Sequence, residues 1–494
     1  MPRYLARATL LTLSLIAATA ARAQTAAPLS LEDCIARAMK RNFDLQIQGY
    51  TTEQAKEALN VANTDFDPTL TASTRRNVSQ AASTTSTLDG TTATGPRNDN
   101  MTANVGVSQR LPQTNATMSL TANTSRAATN SRFSTLNPAF GTGVTATVSQ
   151  PLLKNAGGDI AKANVERNKL GVSIAMLNYK SRVLTVIRDT ENAYYNLVSA
   201  RETLRIRQLS LELAQKLLDE NTAKRATGTM TDLDVLTAEV GVANARRAVI
   251  QAEQSVRNSE DTLQNLVNVE NLDTRPGTVS FAEFKEQAPP VAEAYKMARD
   301  SSPDYLATQN QIRQSEIDLA TTKTNRKPTL NLDGSLGYNA TDRSYGDVIG
   351  ALPNRHGNNW SLGLSYTMPW GMKADNARYR STLAGLNSLK TRLSQLEQSM
   401  LVSVRSAVRS VETNLAAVEI AGKATELSLR QYELQKARFD AGLSTSRLVL
   451  QAQDDLEIAR VTELAAKVTL RTSVAELHRL QGTSIQRFRV DLPQ

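Results

Sequence analysis

The chain has 494 residues, 40% of them hydrophobic, only 4% aromatic and 21% charged, with a formal net charge of +9. Its single cysteine, Cys34, excludes an intrachain disulfide and a multi-cysteine zinc site. Two isolated histidines, His356 and His478, supply neither a metal cluster nor a triad, and Gly157-Gly158 lacks the Lys-Ser/Thr that completes a phosphate loop, so the reading is of a non-enzyme with no catalytic residue, metal or cofactor.

The first 23 residues combine a basic start, an apolar run from Ala8 to Ala21 and an Ala21-Arg22-Ala23 site, which predicts a cleaved secretory signal over 1–23. Its removal takes away Arg3, Arg7 and Arg22 and leaves a charge of +6, an ordinary surface rather than a nucleic-acid footprint. No later stretch of 18 residues is uniformly apolar, so any entry into a membrane must be as a closed β-barrel.

From residue 30 the chain repeats itself once. A shift of 260 places Ala38 on Ala298, Asp44 on Asp304, Gln54 on Gln314 and Pro68-Thr69-Leu70 on Pro328-Thr329-Leu330. Further on the shift is 214, which aligns Gly157 with Gly371, Gly171 with Gly385, Gly228 with Gly442 and Leu263 with Leu477. The first repeat, 24–275, therefore carries 46 residues that the second, 276–494, lacks. Opening helices are expected at 30–64 and 290–325.

β-like segments follow, within 68–152 and 328–369. Val105 and Val107, Met118 and Leu120, Val144 and Val148, and Trp360, Leu362, Leu364 and Tyr366 recur at period two, with Ser, Thr, Asn and Gly between them. Lipid on one face and water on the other explains that alternation, and so does a soluble sandwich. Four strands are expected in the first repeat (68–78, 102–111, 116–125, 143–152) and two in the second (328–338, 359–368). The inserted residues then make one extra hairpin. Flexible, exposed loops are expected at 79–100, 126–143 and 339–359.

No proline occurs between Pro151 and Pro276 or between Pro369 and Pro493, runs of 124 and 123 residues. Proline costs about 3 kcal/mol inside a helix, so each run predicts a long helical hairpin, over 158–268 and 372–481. Val183, Val186, Thr190, Ala193, Leu197, Ala200 and Leu204 form a heptad-like seam in the first, and Met400, Val404, Ala407, Val411 and Val418 match it in the second. About 65 residues per arm at 1.5 Å each give roughly 100 Å. Such slender hairpins with so few strands close no barrel alone, so transmembrane strands would require a homo-oligomer.

Each run breaks once, in the same pattern: Gly228-x-x-Thr231-x-x-x-Val235-Leu236-x-Ala238-Glu239 and Gly442-x-x-Thr445-x-x-x-Val449-Leu450-x-Ala452-Gln453, with Lys224 and Arg438 four residues before the glycines. Glycine ends one helix in the left-handed conformation, the basic residue complements the helix dipole, and Thr231 or Thr445 caps the next helix. Asp232 and Asp234 fall in the first turn after Thr231.

These features together resemble the TolC-like outer-membrane efflux family over about 29–485: the exported start, the duplication, Ser149-Gln-Pro-Leu-Leu leading into a long helix, and the paired tip motifs. The fold class is α+β, mostly α, a duplicated protomer of helix, β-hairpin and long helical hairpin. The resemblance implies that such protomers form a homotrimer, an outer-membrane β-barrel continued by a periplasmic α-barrel. It also implies docking of the tips on a periplasmic adaptor that connects to an inner-membrane pump, in a tripartite efflux or type I secretion system. Lys224, Gly228, Thr229, Met230 and Thr231, with Arg438, Gly442, Leu443, Ser444 and Thr445, match the family's adaptor-docking tips. Asp234, with Asp232 beside it, matches an acidic pore constriction. The counterpart of Asp234 is Leu448, so a second acidic ring needs Asp454 or Asp455. The family's usual four strands per protomer give twelve in a trimer, whereas six would give eighteen. The alternative to a duct is a soluble periplasmic coiled-coil adaptor or structural protein.

Overall fold

A computed structural model describes residues 30–82, 94–131, 134–268, 288–351 and 357–491. The expected signal at 1–23, the boundary between the repeats at 275/276, and His356 lie outside them. In the first repeat, helices α1 (Leu31–Arg41) and α2 (Phe43–Asn63) precede strands β1 (Thr69–Ala82), β2 (Thr94–Arg110), β3 (Thr117–Thr129) and β4 (Ala139–Pro151), then helices α3 (Gly158–Ala226) and α4 (Asp232–Val267). In the second, α5 (Val291–Ser301) and α6 (Pro303–Asn325) precede β5 (Thr329–Asp342), α7 (Tyr345–Ala351) and β6 (Asn358–Thr367), and α8 (Lys373–Asp440), α9 (Ser446–Gln481) and α10 (Ser484–Arg487) complete the chain.

Each opening helix is two helices rather than one. At Asn42 the backbone turns extended (ψ 127°), and the side-chain oxygen accepts the N–H groups of Asp44 at 3.0 Å and Leu45 at 3.3 Å, starting α2 afresh. At the matching place Ser302 caps α6 through the Tyr305 N–H, and Pro303, which has no N–H to donate, occupies its first turn.

The described chain forms two compact units, each drawing on both repeats. One comprises 46–182 and 302–401 and holds the sheet, whose six strands run β1-β2-β3-β4-β5-β6, every neighbouring pair antiparallel. Its register sorts the side chains over the first half of β1, while further along the face that carries Leu70 turns polar where Arg76 pairs with Asp99 at 2.6 Å. Leu70, Val107, Leu120, Ala146, Leu336 and Trp360 stand in one row across all six strands. Thr69, Ser108, Ser119, Thr147, Ser335 and Ser361 form a row on the opposite face. The apolar row is bare: Leu70 is 70% exposed, Leu120 53% and Trp360 76%.

The strands also run further than the alternation suggested, so the expected loops shrink. β1 and β2 pair out to Ala82 and Thr94, β3 reaches Thr129, and β5 reaches Asp342. Ser, Thr and Asn read as loop residues in sequence, yet here they are the water-facing half of a continuing ladder. Beyond β5, α7 occupies part of the expected 339–359 loop. Ser344 caps it through the Asp347 N–H, and Tyr345 stacks edge-on against Phe140 of β4 with centroids 4.4 Å apart.

The second unit comprises the described chain up to Leu45, 183–301 and from Val402 onward. Along the predicted seam Val183, Val186, Thr190, Ala193, Leu197 and Ala200 are buried, as are Val404, Ala407 and Val411; Met400, which falls in the sheet-bearing unit, is buried too. Leu204 and Val418 are half-buried. The duplication is visible in the packing, where α1 lies on α4 and α5 on α9. Asn42 donates to the Leu266 carbonyl at 3.1 Å and Asn268 to that of Arg41 at 3.3 Å, tying the first of these pairs. Cys34 sits in that packing without exposure, and burial pushes its thiol up to about 12. No described helix is long and apolar enough to cross a membrane.

Candidate functional site

Both tips belong to the helical unit, and their turns are nearly identical. Gly228 has φ 79° and Gly442 φ 75°, the left-handed conformation that glycine adopts without steric cost. The N–H of each glycine reaches back three residues, to Arg225 O at 2.9 Å and Phe439 O at 3.0 Å. The next N–H reaches five, Thr229 to Lys224 O at 2.9 Å and Leu443 to Arg438 O at 2.8 Å. These paired bonds satisfy the carbonyls at the helix end. The spacing of Lys224 and Arg438 from the glycines is therefore the spacing of the residue whose carbonyl closes the turn.

The two turns differ in how the next helix starts. Thr231 Oγ1 accepts the Asp234 N–H at 3.3 Å, while Asp234 Oδ2 accepts the Thr231 N–H at 3.1 Å and its hydroxyl at 2.6 Å, a reciprocal capping box. Thr445, expected to cap in the same way, makes no side-chain capping bond. Leu448 stands where Asp234 does, so no carboxylate holds the threonine hydroxyl in place. Asp232 is paired with Arg225 across the turn, at 2.5 Å.

Below the turns lies a small core of Leu217, Phe439 and Val449, with Met230, Tyr432 and Leu450 packed against it. Lys224 Nζ sits 4.1 Å from the Phe439 ring centroid, and Lys436 Nζ 5.5 Å from it. Lys436 also pairs with Glu220 at 2.5 Å and Asp440 at 2.9 Å. Burial alone would lower its ammonium, but these two carboxylates outweigh burial and hold it above its ordinary value. Asn221, fully buried, donates to Asp234 O at 3.2 Å and Ser446 Oγ at 2.9 Å. Arg207 pairs with Glu457, further along α3 and α9. Asp454 is held above the usual carboxylate range by desolvation and by Asp455, with Arg207 opposing.

The expected docking residues thus divide. Gly228, Gly442, Thr229 and Leu443 are exposed on the turns, Leu443 by 72%, and Arg438 is exposed beside its turn. Lys224 and Met230 are committed to the core beneath, and Ser444 accepts Gln435 Nε2 at 2.5 Å. Phe439 and Asn221, which organise the tip, were absent from the sequence expectation. The repeat alignment pairs them with Arg225 and Gln435, so the duplication gave no signal for either.

Two repeats of helix, antiparallel strands and helical hairpin, with glycine tips and a sheet divided between an apolar and a hydroxyl-rich face, define a duct-like protomer. The chain belongs to the outer membrane efflux protein family, whose model matches residues 101–269 and 294–483. It is 20% identical over 318 residues to "Outer membrane protein TolC" of Escherichia coli (strain K12), covering 61% of this chain and 64% of that protein. It is 23% identical over 304 residues to "Pyoverdine export outer membrane protein OpmQ" of Pseudomonas putida, covering 58% and 61%. Both alignments span less than two thirds of the relatives' length. Among solved structures, the Campylobacter jejuni CmeC outer membrane channel superposes with a TM-score of 0.70 at 18% identity, covering 94% of this chain and 90% of that one. The open-state Neisseria gonorrhoeae MtrE outer membrane channel gives 0.64 at 19%, covering 92% and 88%. These likenesses carry the fold.

Proposed function

We propose that the chain is the outer-membrane channel of a tripartite efflux or type I secretion system, a passive exit duct with a periplasmic helical extension. The carrying observation is the bare apolar row that runs in register across all six strands, backed by a face of Ser, Thr, Asn and Gly. A soluble sandwich covers its apolar face with a second sheet, whereas among the described residues there is one sheet, and only the short α7 packs on that face, at its Phe140 end. Outer-membrane lipid is the partner such a face fits. The protomer works as a homotrimer, because its open sheet and exposed helix faces, with Leu236, Val240, Ile420 and Leu434 in the open, are completed only by copies. In fractionated cells the protein is expected in the outer membrane, released only by detergent, as a heat-resistant trimer. Recovery as a monomer in the aqueous periplasmic fraction overturns this reading in favour of the soluble adaptor.

The tips dock on a periplasmic adaptor and, through it, on an inner-membrane pump. Gly228, Thr229, Gly442 and Leu443 supply the exposed contacts, and Asp234 with Asp232 supplies the acidic constriction. Because Asp234 also caps α4, its two roles need separate variants. Asp234→Asn keeps an acceptor for the Thr231 N–H and removes the charge, whereas Asp234→Ala removes both and costs about 1 kcal/mol at the helix start. Both are expected to raise single-channel conductance in planar bilayers and weaken block by divalent cations. An effect of Ala without one of Asn assigns Asp234 to capping alone.

A further inference from the structure

Each repeat contributes a first and a last strand, β1 with β4 and β5 with β6, and a chain built of these alone would bring four strands. The first repeat adds β2 and β3 between its own pair. Such an addition could dangle outside a barrel wall as a surface loop. In this chain it is built in. β2 pairs with β1 over the whole span from Thr69↔Ser108 to Gln80↔Arg97, and β3 pairs with β4 from Thr117↔Ser149 to Ala127↔Ala139. The turn between them, 111–116, is docked: Asn115 Nδ2 donates to Asn155 O at 2.6 Å and Gln150 Nε2 to Thr114 O at 3.0 Å. Ala116 is buried, and Gly158, opening α3, leaves only enough room that a Cβ there would stand 2.8 Å from Gln113 O.

We infer that the sheet closes edge to edge with copies of itself, β6 of one protomer against β1 of the next, so that three copies build an eighteen-stranded wall, six strands from each. This rests on the trimeric channel reading. Three observations carry it beyond that reading. The edges β1 and β6 have no partner in the described chain, and in hydrocarbon an unpaired row of N–H and C=O groups is prohibitive, so each edge needs a strand. An even number of alternating strands sets β1 and β6 in opposite directions, so a β6–β1 seam is antiparallel like every other pair. Every strand, from the 10 residues of β6 to the 17 of β2, meets the roughly 9–11 that a tilted spanning strand needs.

Barrel diameter grows about linearly with strand number, so this wall encloses a bore about 1.5 times as wide as twelve strands would. Across the hydroxyl-rich face, the described strand residues bring only Arg75, Arg110 and Asp333 as charges. The barrel so formed is wide and lined mostly by hydroxyl and amide groups.

Disulfide scanning tests the seam. Cys34 is buried with a raised thiol pKa and stays silent as a background. Thr71→Cys on β1 is combined in turn with Ser361→Cys, Gly363→Cys and Ser365→Cys on β6, all on the hydroxyl-rich face, and oxidised in native outer membranes. The expected result is a covalent trimer on non-reducing gels from at least one combination, absent from each single variant. Thr71→Cys combined with Thr145→Cys on β4, in the same row, is expected to stay uncrosslinked, because β2 and β3 stand between them. Crosslinking of β1 to β4 within one chain means a twelve-stranded wall of β1, β4, β5 and β6 with the β2–β3 hairpin outside, and overturns the inference while leaving the channel intact. No crosslink from either set, with the protein in the aqueous fraction, overturns both.

Discussion

Leu120→Arg is expected to destabilise the membrane-inserted protein by about 2–4 kcal/mol, whereas Thr121→Arg, one residue along β3, leaves insertion essentially unchanged. Leu120 stands between Val107 of β2 and Ala146 of β4, in the middle of the apolar positions Met118, Leu120 and Ala122, and is 53% exposed. An arginine there must either pull its guanidinium out of hydrocarbon or thin the bilayer around it. Thr121 stands between Gly106 and Thr145 on the opposite face, where an arginine meets water. Urea titration of the protein refolded into lipid vesicles reads the difference directly, and heat stability of the trimer on gels gives a second reading. Equal effects of the two substitutions would mean that the apolar face does not meet lipid.

The contrast between those neighbours is legible in the order of the residues, because strand side chains alternate with period two and a one-residue step changes face. The long helices were legible for a different reason. Proline is so costly inside a helix that two runs of more than 120 residues without it point to helices of unusual length. The tip glycines were legible because few residues other than glycine take a left-handed helix end cheaply.

What escaped the sequence escaped for physical reasons too. The ends of the strands were read as loops because a strand with water on one face uses the residues a loop uses, and only the neighbouring ladder distinguishes them. The breaks at Asn42 and Ser302-Pro303 are single-residue events inside stretches that are otherwise helical in pattern, although the Ser-Pro pair is a helix-start signal. At the tips the duplication misled. It suggested that Thr231 and Thr445 act alike. The core beneath instead uses Phe439, whose repeat counterpart is Arg225, and the cap uses Asp234, whose counterpart is Leu448. Two copies of one hairpin packed against each other have no reason to stay equivalent, since each fills the space the other leaves.

That asymmetry locates the largest side-chain effect expected at the tips. Phe439 is 1% exposed, at the centre of the cluster that holds α3, α8 and α9 together beneath both turns. Phe439→Ala removes a fully buried ring, a loss of about 3–5 kcal/mol. It also removes the face over which Lys224 lies at 4.1 Å. The buried seam residues, Val183 to Ala200 and Met400 to Val411, are separate from this cluster. The loss is therefore expected as local opening: amide exchange around 214–238 and 432–450 accelerates by about two orders of magnitude or more, while exchange along the seam is little changed. Phe439→Leu separates the two contributions. It restores most of the apolar filling, so that exchange at the tips recovers, but leaves Lys224 without its aromatic partner. If Phe439→Leu also restores adaptor binding in pull-down from detergent, packing positions the tips. If binding stays lost while exchange recovers, the placement of the Lys224 ammonium by the ring is what the adaptor requires. Unchanged exchange at the tips in Phe439→Ala would mean that the turns are held by their backbone bonds and the Lys436–Glu220 pair without the aromatic core.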